Sequence, residues 1–188
     1  MIIPIVAYGT KVLKHKAEDI SIDYPNLEQL IEDMFETMYE ASGVGLAAPQ
    51  IGRSIRLFII DASPFADEDA EMDGFRKVFI NPQIVEESGE KCNFNEGCLS
   101  IPSIREDVSR LSKIRIRYLD HDFNTLEEEY DGIKARIIQH EYDHLEGVLF
   151  TDYLSSIKKR LLKRKLNDIS KGNIKVDYRM KFPLKKSR

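Results

Sequence analysis

The segment from Asp131 to Gly147, DGIKARIIQHEYDHLEG, constrains the fold of this chain more than any other. Ile133, Ile137, His140 and His144 fall on one helical stripe and Ile138, Tyr142 and Leu145 on a second, so the spacing predicts a helix with two faces turned away from water. Such a helix belongs at the centre of a molecule. Asp131 can cap its start, and Gly147 can end it.

The same segment carries chemistry. His140-Glu141-Tyr142-Asp143-His144 is an H-E-x-x-H pattern, and residues i and i+4 project from one side of a helix about a turn apart, so two imidazoles can share one metal ion. Glu141, next to the first histidine, can reach a water on that ion without ligating it, which makes it a candidate general base. A third ligand is still needed. Downstream, the metzincin pattern continues as far as Gly147 but places Phe150 where a histidine should stand, and past Asp152 the only acids are Asp168 and Asp177 in a strongly basic stretch. The ligand is therefore expected upstream, among His15, His121, Cys92, Cys98 and the carboxylates. Cys98 lies in Glu96-Gly97-Cys98-Leu99-Ser100, a glycine-containing turn that could aim a thiolate and expose backbone N–H groups beside it. His121 reads as a solvated hairpin residue and Cys92 as a small buried one.

Other segments set the fold class. Leu27, Leu30, Ile31, Met34 and Met38 recur at helical spacing after Pro25, with Gly43 as a stop. GVGLAAPQIG, Gly43 to Gly52, is too glycine-rich for a helix and too apolar for a solvated loop, so it should pass close to something buried. Ile55 to Asp61 and Lys77 to Asn81 read as strands, flanking an acidic loop from Ala62 to Phe75. Lys113 to Asp120 alternates apolar and basic residues and, with a turn at Asp120 to Asn124 and the return run TLEEEY, is expected to form a hairpin of two strands. Leu154, Ile157, Leu161, Leu162 and Leu166 mark a last amphipathic helix. The expected class is α+β: antiparallel strands packed around a central helix carrying H-E-x-x-H, with a C-terminal amphipathic helix.

Charge is divided unevenly. Residues 158 to 188 hold 13 Lys and Arg against 2 Asp, net +11, while the rest of the chain is net −15. No apolar run approaches the roughly 20 residues of a membrane helix, and the apolar start is interrupted at Pro4 with no basic region before it, so neither a membrane nor a secretory route is expected. Two cysteines are too few for a disulfide scaffold, which suits a reducing compartment. The expected division is a single catalytic domain at 1–170, the C-terminal helix included, and a basic tail at 171–188.

Three motifs in order, GVGLAAPQ (Gly43 to Gln50), EGCLS (Glu96 to Ser100) and QHEYDHLEG (Gln139 to Gly147), resemble those of the peptide deformylase family, and the similarity extends over residues 1 to 170. The resemblance implies a metal-dependent hydrolase that removes the N-formyl group from the initiator methionine of nascent proteins and releases formate. It implies Cys98, His140 and His144 as metal ligands with water as the fourth, and Glu141 as catalytic acid and base. Gln50 and the backbone N–H of Leu99 would stabilise the oxyanion, and Gly45 would let the substrate backbone approach. Val44, Ile133 and Ile137 are expected as walls of a methionine pocket. Arg105 is expected to contact the substrate peptide, with Arg110 as the other arginine able to do so or to buttress the Asp143 region.

Fe(II) is the implied ion, with zinc, nickel or cobalt as substitutes. The expected partners are N-formyl-methionyl nascent peptides and, through the basic C-terminal segment, the ribosome. The expected state is a monomer in the bacterial cytosol, without membrane contact. Two other readings compete: an H-E-x-x-H metallopeptidase or other amidase, and a non-catalytic RNA-binding protein with a structural metal. A structural zinc site would need four protein ligands, and three good ones are present.

Overall fold

A computed structural model describes residues 1–67 and 70–184; two positions of the acidic loop and the last four residues of the basic tail lie outside the described residues. Two buried faces of one short strand organise it. In β3 (Leu57–Asp61) Phe58 and Ile60 point one way and Leu57 and Ile59 the other, and all four are fully buried, because strand side chains alternate and a helix covers each face. On one side Phe58, Ile60, Phe79, Ile114 and Ile116 pack against Ala135, Ile137, Ile138 and Leu145 of α2 (Gly132–Leu145). On the other, Leu57, Ile59 and Ile80 pack against Ile31, Met34, Phe35 and Met38 of α1 (Leu27–Glu40). The expected α+β architecture with a central H-E-x-x-H helix is what the chain forms.

The sheet has the order β2-β3-β4-β5-β6 and every pairing is antiparallel. β2 (Gly45–Ala47) is an edge strand, and the residues after it wind into a short 3₁₀ turn, Ala48–Ile51. β4 (Arg76–Cys98) and β5 (Ile101–Leu119) form one long hairpin that closes at the tight pairing of Cys98 with Ile101. Only the sheet-facing ends of these two strands were expected from the sequence. Between Glu86 and Asn95 every residue except Phe94 is exposed, so the apolar alternation that marks a strand is missing there, and backbone pairing interrupted by bulges carries the ladder instead. β6 (Thr125–Asp131) completes the expected hairpin with β5.

β6 passes directly into α2. Gly132 makes the change of direction at φ +54°, a left-handed conformation that favours glycine. Asp131 occupies the N-cap position as expected, but its side chain makes no capping hydrogen bond. Gly147, at φ +72°, ends the helix and lies so close to Lys14 that a Cβ would fall 2.8 Å from the Lys14 carbonyl.

α3 (Ser156–Lys171) seats Leu162, Leu166 and Ile169 on a third cluster that includes Ile101, Val108, Leu149 and Phe150. Ile157 and Leu161, expected on its apolar face, are instead 73% and 74% exposed, because that cluster meets the helix only from Leu162 onward. Beyond Gly172 the chain returns along the body, and β7 (Met180–Lys181) pairs in parallel with β1 (Ile5–Val6). The acidic segment is anchored too, since Ala62 and Met72 are buried in the cluster beneath α2.

Candidate active site

Cys98 at the end of β4 meets His140 and His144 on the inner face of α2. One ligand atom from each can be chosen so that all lie within 4.8 Å of one another. Cys98 Sγ stands 3.4 Å from His144 Nε2, and the two imidazole rings are 5.2 Å apart and nearly perpendicular. The upstream alternatives fall away: His15 and His121 are exposed, and Cys92 is exposed rather than buried, because it sits on the part of β4 that leaves the core. Its carbonyl and sulfur both accept from Arg136.

The donor set suits a metal. A thiolate and two imidazoles form a three-ligand site with a position left for water. Burial pushes the His144 imidazole well below its ordinary value, so it stays neutral with a lone pair to give. Burial also opposes a proton on His140, yet contacts with Cys98 and Glu96 raise it well above the ordinary value.

Glu96 is the residue whose role the sequence reading missed. It is 3% exposed, and its carboxylate meets His140 Nδ1 at 2.9 Å, Arg110 Nε at 2.7 Å and Arg136 NH1 at 2.8 Å. Burial resists the charge, but hydrogen bonds from His140 and Arg110 hold the carboxyl well below the usual range. A carboxylate on Nδ1 fixes the ring and leaves Nε2 toward the ligand cluster. Its signal was present, since Glu96 lies two residues before Cys98 on a strand and so shares its face. Arg110 also donates to Asp143 at 2.7 Å, which is the buttressing expected of it.

Glu141 is 4% exposed, and its Oε2 has no hydrogen-bond partner. Burial lifts its carboxyl to about 7. Gly45 is what makes room for it, because a Cβ on Gly45 would fall 2.5 Å from Glu141 Oε1. The apolar glycine-rich segment thus passes close to something buried, as its composition required. Gln50, 1% exposed, has its Oε1 fixed by the Ala47 N–H at 2.7 Å and turns its Nε2 to Cys98 Sγ at 3.5 Å. Its amide protons face the ligand cluster.

These groups open on a cleft of about 680 Å³. Val44, Gly45, Leu99, Arg105 and Ile137 line it; Ile133 does not and packs instead against the core beneath α2. Arg105 is braced by Asn95, donating to its side-chain oxygen at 3.0 Å. The cleft also has walls that were not expected, Phe65 and Phe94 and residues 175–178 of the basic tail. The tail's signal was an alternation: Ile174, Val176, Tyr178, Met180 and Phe182 are half-buried and the residues between them exposed. Tyr178 Oη donates to the Leu99 carbonyl at 2.8 Å.

The polypeptide deformylase family model matches residues 2–160. The peptide deformylase of Christiangramia forsetii is 59% identical over the whole of both chains, and that of Cytophaga hutchinsonii is 58% identical over 99% of this chain and all of the other. Among solved structures, a peptide deformylase from Legionella pneumophila is 38% identical with a TM-score of 0.79, covering 92% of this chain and 98% of its own. Arabidopsis thaliana peptide deformylase 1B, in complex with an inhibitor, is 33% identical with a TM-score of 0.80, covering 91% and 92%.

Proposed function

The chain belongs to the polypeptide deformylase family, and we propose on that premise how its cleft removes the N-formyl group from nascent polypeptides. The observation that carries the assignment of roles is the buried Glu141 carboxylate, its Oε2 without a hydrogen-bond partner, beside the Cys98, His140 and His144 cluster. Those three residues would hold a divalent ion, taken to be Fe(II), with zinc, nickel or cobalt able to replace it. When bound, the ion supplies a Lewis acid and lowers the pKa of a water to about 7.

The remaining steps belong to the protein. Gln50 Nε2 and the Leu99 N–H donate to the formyl oxygen as it gains charge, and the residues are set for it, Gln50 by the Ala47 N–H on its Oε1 and Leu99 by the Tyr178 hydroxyl on its carbonyl. Glu141 takes a proton from the attacking water and passes it to the amide nitrogen as the C–N bond breaks, leaving formate and a free amino terminus. Gly45 keeps that carboxylate in place and lets the substrate backbone approach. Val44 and Ile137 form the apolar wall for the methionine side chain, with Ile133 supporting it from the core, and Arg105 contacts the peptide beyond it.

Formate release from an N-formyl-Met peptide, compared with its N-acetyl analogue after anaerobic purification and metal analysis, tests this. Formate from the first and no turnover of the second are expected; no formate at any metal loading would overturn the assignment. Glu141→Gln should retain stoichiometric metal and lose most of the rate, whereas metal loss would show that Glu141 is a ligand.

We propose further that the protein works as a cytoplasmic monomer and docks on the ribosome through α3. There Ile157 and Leu161 are exposed among Lys159, Arg160, Lys163 and Arg164. No helix among the described residues is long and apolar enough to cross a membrane. Reversing those four charges to Glu should abolish co-sedimentation with ribosomes at low salt while leaving hydrolysis of a free peptide unchanged; retained co-sedimentation would refute docking through this helix.

A further inference from the structure

The tail runs along the cleft between two anchors. At one end the Leu184 N–H donates to the Ser170 carbonyl, and β7 is stitched to β1 by Ile5 N–H to the Arg179 carbonyl and Ala7 N–H to the Lys181 carbonyl, both at 2.9 Å. At the other, Asn173 N–H donates to the Asp168 carbonyl as α3 ends. Residues 175–178, held between them, line the cleft.

What the tail holds there is the turn between β4 and β5. Tyr178 Oη fixes the Leu99 carbonyl at 2.8 Å, and the next carbonyl, of Ser100, accepts from the Tyr8 N–H at 2.8 Å, just past the strand to which the tail is paired. Gly43 lies close against the Leu99 side chain and leaves room for it, because a Cβ there would fall 2.8 Å from Leu99 Cδ1. Tyr178 and Leu99 pack against the same apolar cluster, while Ile174 and Cys98 pack against another. With Cys98 paired to Ile101 before it and its own carbonyl fixed after it, Leu99 has little freedom left in the direction of its N–H.

We propose that Tyr178 is a positioning residue for Leu99, and that the segment from Ile174 to Phe182 is part of the active site rather than a charged appendage. The inference rests on the reading of the Leu99 N–H as an oxyanion donor. Tyr178 touches no reacting atom; its hydroxyl aims a group that is used when charge develops on the formyl oxygen. Its loss should therefore fall on kcat and leave substrate binding alone.

Tyr178→Phe keeps the ring and removes only the hydroxyl. With an N-formyl-Met tripeptide, kcat should fall about tenfold and KM stay within about twofold, less than the 10²- to 10³-fold that deletion of an oxyanion donor costs. Amide exchange across Cys98–Ile101 should speed about fivefold, the loss expected for one ordinary hydrogen bond. A folded variant with kcat within twofold of wild type, or with its loss confined to KM, would overturn the proposal, as would unchanged exchange in that turn. Failure of the wild type to release formate would instead defeat the deformylase reading, and the exchange measurement would then judge the tail contact by itself.

Discussion

β5 and its neighbours hold two arginine–carboxylate pairs of nearly equal geometry in opposite surroundings. Arg110 NH1 meets Asp143 Oδ2 at 2.7 Å with the two side chains 5% and 14% exposed, while Arg117 NH2 meets Glu127 Oε2 at 2.8 Å with 54% and 32% exposed. Distance alone would rank them together. Water separates them, because the exposed pair is screened and each partner is well solvated without the other, whereas the buried pair cannot be broken without stranding a charge. The buried pair also belongs to a chain of contacts. Arg110 and Arg136 converge on Glu96, which orients His140, so the same charges that support the hairpin on α2 hold a metal ligand. The exposed ladder of Arg115, Arg117, Glu86 and Glu127 links β4, β5 and β6 across their solvent side, away from the ligand cluster.

The sharpest way to break the buried side is Glu96→Ala. It leaves two guanidinium groups buried without their carboxylate, a defect that costs about 3–5 kcal/mol in comparable sites, and it frees the His140 ring, for which a 10- to 100-fold loss of metal affinity is expected. Denaturant unfolding and a metal-competition titration read the two effects separately. A variant that kept both its stability and its metal affinity would show that Glu96 neither supports the network nor orients the ligand.

A smaller effect isolates one pair. In a double-mutant cycle of Arg110→Met and Asp143→Asn, the coupling energy should be about 1.5–3 kcal/mol, since the partners are in direct contact and shielded from water. Persistence of that coupling in 1 M salt would confirm the shielding, because salt screens exposed pairs far more than buried ones. A coupling that vanished in high salt would place Arg110 and Asp143 with the surface pairs.

The parts of this molecule that were legible in the sequence are those whose pattern is carried by the side chains that make the contact. α2 could be read because its two stripes pack on the sheet and its histidines share a face, and Cys98 and Gln50 through motifs that resemble a known family. Glu96 stood inside one of those motifs, but its role depends on Arg110 and Arg136, which approach from another strand and another helix. The middle of β4 was invisible because its pairing is backbone to backbone and its side chains are wet. In the tail, counting charge hid the apolar alternation of Ile174, Val176, Tyr178, Met180 and Phe182, which is what the fold uses. Net charge describes the solvent side of such a strand and says nothing of the side that packs.

The smallest effect is the most direct control on the comparison. Arg117→Ala and Glu127→Ala, singly and together, should leave the unfolding midpoint unchanged within error at any salt concentration, with no measurable coupling between them. Glu127 keeps its charge below its ordinary range chiefly through the hydrogen bond from Arg117, with burial opposing, yet that preference is expressed at a surface where water replaces the lost partner. The folded-state carboxyl is the depressed one, so whatever support it lends is present above the ordinary carboxylate pKa and fades as pH falls through the lowered one. A wild-type midpoint that exceeded the Glu127→Ala midpoint at pH 7 but matched it in acid would give the surface pair a real share in stability. It would also show that the contrast along β5 is one of degree, set by how much of each carboxylate the neighbouring strands cover.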